Sequence, residues 1–298
     1  MRPISFAKAA SREHEIILPG RGRAVVRDIP GPPGASTLVL LHGLALNAEL
    51  NWFGGIPTLG RHYRVLTLDL PGHARGIRGP VPFRLEDCAD DVAEVAAALG
   101  IARLVPVGYS LGGLVAQLLW RRHPELTAGL VLCSTARNFS GTMWERAAAL
   151  TMALTMPSLV AAAAWIPPLY LMRADILGLG LLDGVADPRA RRWAADQMRR
   201  TPLLEVLPAL QAACQFTSHG WIGSVEVPTA VVITGQDRIV PARRQWKLAN
   251  AIPGSVVHEM NAGHGVFLEA PGAFAAVLLS ACASVTSADV SGHAENAS

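Results

Sequence analysis

A serine, a histidine and an aspartate stand where their side chains could perform nucleophilic catalysis, and the serine gives the strongest signal. Ser110 is the centre of Gly108-Tyr109-Ser110-Leu111-Gly112, which follows an apolar run and opens an amphipathic segment. A serine on a sharp strand-to-helix turn is held in a strained conformation and needs small neighbours two residues away on either side. The pattern therefore predicts a nucleophile at Ser110, with Gly108 and Gly112 permitting the turn; the alternative is a glycine-rich turn that only packs.

A serine hydroxyl is a poor nucleophile at neutral pH, so it needs a neighbouring base. His264 directly follows the last predicted strand, and a loop at the carboxyl edge of a parallel sheet would carry it towards Ser110. Asp237 follows another buried strand and would orient the histidine and stabilise its protonated form. A turn aspartate is more often a local backbone cap. The chain order serine, acid, histidine nevertheless favours a catalytic triad.

The segment His42-Gly43-Leu44 follows an apolar run at residues 37–41. Acyl transfer places negative charge on the former carbonyl oxygen, and backbone N–H groups aimed at that oxygen stabilise it. We expect the N–H groups of Leu44 and Leu111 to be these donors. Gly43 would permit the close turn, and His42 is predicted to support the loop through side-chain hydrogen bonds.

The remaining histidines and the cysteines indicate no metal site. No pair of histidines has metal-ligand spacing on a helix face; we therefore assign no metal, and a serine nucleophile of this kind needs no cofactor. The four cysteines lie far apart in mostly apolar segments, which favours reduced thiols over a disulfide framework. They are Cys88, Cys133, Cys214 and Cys282. Because no continuous apolar stretch precedes Arg12, the N-terminus does not resemble a secretory signal, and we predict a cytoplasmic protein.

Composition and charge set the size and class of the molecule. The chain has 298 residues, of which 51% are hydrophobic and 16% charged, with a net charge of +3. Such a chain can bury one large core with a small accessory layer. The small net charge, without a run of five like charges, argues against a nucleic-acid partner.

Short apolar runs alternate with helical patterns along most of the chain. Runs that are apolar at every position suit strands buried on both faces, and repeated strand, helix, strand predicts a mostly parallel sheet covered on both sides. The predicted strands cover residues 15–18, 23–29, 37–41, 64–70, 103–107, 129–133, 229–234 and 255–260. The predicted helices cover residues 85–99, 111–122, 242–251 and 272–283.

One long stretch interrupts this alternation. Residues 139–216 contain helical and proline-interrupted segments without a convincing buried strand, which predicts a helical cap inserted into a core of residues 1–138 and 217–285. Residues 286–298 are small and polar and are predicted to form a disordered tail.

These motifs together resemble the α/β-hydrolase superfamily over residues 15–285, and four of them occur in the family's order. They are His42-Gly43, Asp69-Leu70-Pro71-Gly72-His73, the segment from Gly108 to Gly112, and His264 followed by Glu269-Ala270-Pro271. The resemblance implies an α/β fold with an eight-stranded, mostly parallel sheet, helices on both faces and a helical cap after the sixth strand. It also implies a triad of Ser110, Asp237 and His264.

The chain departs from common family patterns at a few positions. Serine at position 110 disfavours the dehalogenase and epoxide hydrolase branches, which use aspartate there. Gly265 replaces the tryptophan usual in carbon-carbon bond hydrolases and weakens that assignment. Gly235 lies one residue closer to the acid than in the common turn, and Ala74-Arg75-Gly76 replaces the usual Gly-x-Ser.

The predicted cap is unusually apolar. Residues 147–172 include no charged side chain, but Pro157, Pro167 and Pro168 divide the stretch into pieces too short to span a bilayer. An apolar cap suits a hydrophobic substrate channel or a peripheral membrane contact, with simple packing against the domain as the alternative.

We therefore predict a serine hydrolase that cleaves carboxylic esters with a medium or long acyl chain. The alternatives are an acyltransferase, a carbon-carbon bond hydrolase or a cofactor-free perhydrolase on the same triad, and a receptor for a hydrophobic ligand. The fold class by itself does not identify the ester, because one scaffold hosts many chemistries. The sequence carries no signal for the oligomeric state.

Overall fold

The computed structural model describes residues 11–78, 83–141, 179–182 and 184–295, together with positions 143, 147, 150, 151, 154, 155 and 158. The uncharged stretch of the predicted cap, residues 147–172, lies largely outside these described residues. The same holds for most of the apolar stretch that precedes Leu181.

Eight strands form one sheet in the order β1-β2-β4-β3-β5-β6-β7-β8. The strands from β3 to β8 pair in parallel, and β2 is antiparallel to both β1 and β4. The eight-stranded, mostly parallel sheet predicted from the sequence is confirmed. The strands are β1 (Arg12–Leu18), β2 (Gly22–Ile29), β3 (Thr37–Leu41), β4 (Arg64–Leu68), β5 (Val105–Tyr109), β6 (Leu130–Cys133), β7 (Thr229–Thr234) and β8 (Val256–Met260).

Helices cover both faces of this sheet, as the sequence predicts. In chain order the described helices are α1 (Ala48–Trp52), α2 (Ile56–Leu59), α3 (Leu85–Ala98), α4 (Leu111–Arg122), α5 (Leu179–Leu182), α6 (Pro188–Met198), α7 (Leu203–Gln215), α8 (Ala242–Ala249), α9 (Val266–Glu269) and α10 (Pro271–Glu295).

The alternation of side chains along each strand divides the core into two layers. On β3, Val39 and Leu41 pack with side chains of α3, α4 and α8. Leu38 and Leu40 point to the opposite face and pack with α1, α2 and α10. Because both faces are covered, strands such as β3 must be apolar at every position, which is the pattern that identified them in the sequence.

Helices α5, α6 and α7 lie between β6 and β7, and buried polar contacts attach them to the core. The Asn47 amide, whose oxygen accepts the N–H of Leu50 at 2.7 Å, donates to the Gln197 side chain at 3.2 Å. The hydroxyl of Thr201 accepts the N–H of Ala74 at 3.0 Å. Since the carboxamides of Asn47 and Gln197 are buried, breaking their contact would leave polar atoms without water, so the position of α6 relative to α1 is well determined.

The C-terminus differs from its predicted disorder. Helix α10 extends to Glu295, so residues 286–295 are helical, whereas residues 296–298 lie outside the described part. Val285 is buried against the core, and the Thr286 hydroxyl lies 3.3 Å from the Tyr63 hydroxyl. These contacts hold the start of a segment whose polar composition alone favours disorder. Among the described helices, none combines the length and the apolar character needed to cross a bilayer.

We expect the central strands to carry much of the stability. Leu40→Ala, at a fully buried position of β3, should lower the free energy of unfolding by about 2–5 kcal/mol, because it leaves a cavity between sheet and helices. Ile17→Ala on the edge strand β1, where the side chain is 72% exposed, should change it by less than about 0.5 kcal/mol. Urea unfolding measures the free energy of unfolding of both variants. Equal decreases in the two variants would contradict the expectation that the central strands carry much of the stability.

Candidate active site

The turn between β5 and α4 places Ser110 in a conformation that few residues adopt. Ser110 has φ 52° and ψ −113°, and its N–H donates to the carbonyl of Cys133 at 2.9 Å. A Cβ atom on Gly112 would lie 2.1 Å from the carbonyl oxygen of Leu41, and one on Gly108 would lie 2.3 Å from that of Gly112. Both glycines are therefore required sterically, and the strained backbone is held by hydrogen bonds on either side.

The structure brings Ser110, His264 and Asp237 together. The Nε2 atom of His264 lies 3.1 Å from the Ser110 Oγ, and its Nδ1 lies 2.6 Å from the Asp237 Oδ2. All three residues are less than one-tenth exposed. With the Nδ1 proton donated to the carboxylate, Nε2 is the free acceptor for the hydroxyl proton, which is the arrangement that a general base requires.

The two oxygens of Asp237 have separate partners. Oδ1 accepts the N–H groups of Ile239 and Val240 at 2.9 and 2.8 Å, which is the local turn cap common for aspartate. Oδ2 faces His264 and also accepts the Thr234 hydroxyl at 2.9 Å. The turn cap therefore occupies Oδ1 and leaves Oδ2 for the His264 imidazole.

The loop after β3 is held rigidly beside Ser110. His42 accepts the N–H of Leu70 at Nε2 (2.9 Å), so its Nδ1 donates to the carbonyl of Gly43 at 2.8 Å. The N–H of Gly43 donates to the Asn51 side chain at 2.9 Å. Both ring nitrogens of His42 are thus engaged with the backbone of this region. Within the described part of the chain, the N–H groups of Leu44 and Leu111 donate to no turn or loop carbonyl, so both remain candidate oxyanion donors.

A cavity of about 250 Å³ opens onto Ser110 and His264. The core contributes Leu44, Ile239 and Val240, and α7 contributes Leu210, Ala213 and Cys214. Among the described residues that line it, none is Asp, Glu, Lys or Arg. The cavity is therefore suited to an apolar, uncharged group.

A family model described as alpha/beta hydrolase fold matches residues 36–271, which is most of the chain and includes all three residues of the cluster. The chain belongs to the α/β-hydrolase family. Its sequence relatives are named as hydrolases, and the protein is accordingly a hydrolase.

Two sequence relatives and one solved structure illustrate the range of this family. "Putative carbamate hydrolase RutD" of Serratia proteamaculans strain 568 is 30% identical over 233 residues, or 78% of this chain and 84% of that protein. The pimeloyl-acyl-carrier-protein methyl ester esterase of Sodalis glossinidius is 44% identical over 108 residues, 36% of this chain and 39% of that protein. The crystal structure of a hydrolase from Pseudomonas aeruginosa PA01 superposes with a TM-score of 0.74 at 23% identity, covering 90% of this chain and 97% of that one.

Several residues of this α/β hydrolase were not singled out from the sequence. Gln245 on α8 donates to the Thr234 hydroxyl at 2.9 Å and to the carbonyl of Val240 at 2.7 Å, so it ties together both ends of the Asp237 turn. Asn51 fixes the loop of Gly43. Both are ordinary helix residues in the sequence, and the packing of α1 and α8 beside these turns brings them to the site.

Two buried histidines lie behind the loop of Gly43. The rings of His42 and His73 meet edge to face with centroids 5.0 Å apart. Burial lowers the pKa of His42 to about 4, and burial together with the neighbouring His42 lowers the pKa of His73 to about 3. Both rings are therefore neutral at physiological pH, which keeps the Nε2 of His42 available as an acceptor.

These shifted pKa values predict that acid weakens the fold. An unfolded chain protonates its histidines below about pH 6.5, whereas folded His73 stays neutral, so stability is lost as the pH falls from that value towards 3. His73→Asn removes this contribution. When the pH falls from about 7 to about 5, the free energy of unfolding measured with urea should decrease by about 2 kcal/mol less in the variant than in the wild type. The exposed-site variant His62→Asn is the control, and an unchanged pH dependence in His73→Asn would contradict the prediction.

Proposed function

We propose that this hydrolase cleaves carboxylic esters with a medium or long acyl chain through an acyl-enzyme on Ser110. The observation that carries the proposal is the hydrogen bond between Ser110 and His264 at the base of an apolar cavity. An activated serine by itself is compatible with many acyl-transfer reactions. The described residues that line the cavity around that serine include no Asp, Glu, Lys or Arg, which favours a neutral substrate with a hydrophobic acyl group.

In the first half of the reaction, the Oγ of Ser110 bonds to the ester carbonyl carbon while His264 Nε2 takes the hydroxyl proton. The carbonyl oxygen becomes an anion, which the N–H groups of Leu44 and Leu111 stabilise. The carbon–oxygen bond of the ester then breaks. The alcohol leaves with the proton held by His264, and Ser110 retains the acyl group.

In the second half, water attacks the acyl-enzyme and gives its proton to His264. The second tetrahedral intermediate breaks its bond to the Ser110 Oγ, which recovers the proton, and the carboxylic acid is released. Asp237 stabilises the imidazolium in both halves, and its second oxygen remains bonded to the turn at Ile239 and Val240, so the carboxylate does not reorient.

We also propose that residues 139–216 form the substrate-selecting cap over a core of residues 1–138 and 217–285. The support is that α7, which lies within this range, contributes Leu210, Ala213 and Cys214 to the cavity wall. Because Gln197 and Thr201 attach the preceding segment to the core, α7 presents a fixed wall to the substrate.

A series of p-nitrophenyl esters from acetate to palmitate tests the ester proposal. The wild type should hydrolyse intermediate chains best and should be labelled by a fluorophosphonate. Ser110→Ala should lower kcat by at least about 10³-fold and abolish labelling, because the nucleophile is absent. Labelling of the wild type without hydrolysis of any ester would overturn the ester proposal and favour acyl transfer or carbon-carbon cleavage, and the absence of both would favour a receptor.

The wall formed by α7 should set the preferred acyl length. Leu210→Trp fills part of the cavity, and we expect the ratio of kcat/KM for a long over a short acyl ester to fall about tenfold, since each excluded methylene forfeits about 0.8 kcal/mol of burial. Leu204→Trp is the matched control, on the same helix but outside the lining residues. A chain-length profile that shifts equally in both variants would contradict the assignment of α7.

A further inference from the structure

Two consecutive residues of the β5–α4 turn contact opposite ends of His264. Ser110 meets the imidazole at Nε2, and the hydroxyl of the preceding residue, Tyr109, donates to the backbone carbonyl of His264 at 2.5 Å. Tyr109 is fully buried, so this hydrogen bond is shielded from water. The turn that presents the nucleophile therefore also holds the backbone of the base.

Next to His264, the backbone of its loop makes few other hydrogen bonds. The carbonyls of Gly263 and Gly265 accept the N–H groups of Val266 and Leu268 as α9 begins. For the carbonyl of His264, the described part of the chain supplies the Tyr109 hydroxyl as the partner. Glycine on both sides gives the backbone at this histidine more conformational freedom than other residues would, and the hydrogen bond from Tyr109 restricts it.

Aromatic rings fix the direction of the Tyr109 hydroxyl. Phe267 and Phe274 meet the Tyr109 ring edge to face at centroid distances of 5.4 and 5.7 Å, and Trp52 does so at 6.2 Å. The His264 ring itself lies 5.4 Å from that of Tyr109. Tight packing on several sides leaves the phenol one orientation, so the hydroxyl is a rigid donor.

We propose that Tyr109 is a positioning residue that keeps His264 aligned between Ser110 and Asp237 through its backbone carbonyl. The inference rests on the proposed function of this cluster in acyl transfer. His264 changes protonation state twice in each half-reaction, and a shift of its loop by a fraction of an ångström would lengthen both hydrogen bonds at once. Tyr109 is not among the described residues that line the cavity, and its hydroxyl interacts with the Ser134 side chain as well as with the His264 carbonyl. It therefore acts on the reaction through its contact with His264.

Tyr109→Phe tests this proposal, because it removes the hydroxyl and keeps the ring. Tyr63→Phe is a matched control: Tyr63 is also buried, and its hydroxyl bonds Thr286 far from the site. We expect Tyr109→Phe to lower kcat for p-nitrophenyl esters about tenfold with KM within about twofold of wild type, and to slow phosphonylation of Ser110 by a fluorophosphonate about equally. Tyr63→Phe should leave both rates unchanged, even if its melting temperature falls as much as that of Tyr109→Phe.

Phe267→Leu separates the hydroxyl from its packing, since it loosens the ring but keeps the donor. We expect it to slow both rates by less than about threefold. Wild-type rates in folded Tyr109→Phe, or equal losses in Tyr109→Phe and Tyr63→Phe, would overturn the positioning role. If the wild type is phosphonylated but hydrolyses no ester, the ester proposal fails while the phosphonylation rates still decide the role of Tyr109.

Discussion

The close approach of two backbones at the β5–α4 turn is the constraint on which the rest of the site depends. Gly112 lies so near the end of β3 that a side chain there would overlap the carbonyl oxygen of Leu41. That approach places the turn of Ser110 directly beside the loop of Gly43, and so brings the hydroxyl, the helix N-terminus and the loop amides to one point. The strained conformation of Ser110 persists because β5 lies inside the sheet, with paired neighbours on both sides.

Hydrogen bonds explain how Asp237 and His42 remain buried around that point. Each oxygen of Asp237 has partners in its own turn or in His264. His42 stays neutral because burial lowers its pKa, so it can accept from one backbone group and donate to another. In a low-dielectric interior such bonds are strong, and an unpaired group is costly. The site is accordingly a network of hydrogen-bonded polar groups inside an apolar shell, and these hydrogen bonds hold the side chains in position.

The apolar side of the site is set by elements outside the sheet. Helix α7 supplies part of the cavity wall, and its position follows from contacts that the preceding segment makes with the core through Gln197 and Thr201. The carboxyl edge of the sheet thus carries Ser110, Asp237 and His264, while the insertion between β6 and β7 contributes α7 to the cavity wall beside the loops of the core. One scaffold of this kind hosts many chemistries.

The sequence by itself determined the sheet and located the majority of strand ends to within about two residues. It also indicated that Ser110, Asp237 and His264 would lie close together. Both followed because strands buried on both faces and glycine-bounded turns leave strong local patterns. It did not determine the continuation of α10 beyond Val285, where Thr286 lies within hydrogen-bonding distance of Tyr63, a residue distant in the sequence. Nor did it identify Tyr109, Gln245 or Asn51 as partners of the site. Each makes a side-chain hydrogen bond that no periodicity or motif in the sequence indicates, so only the tertiary structure decides it.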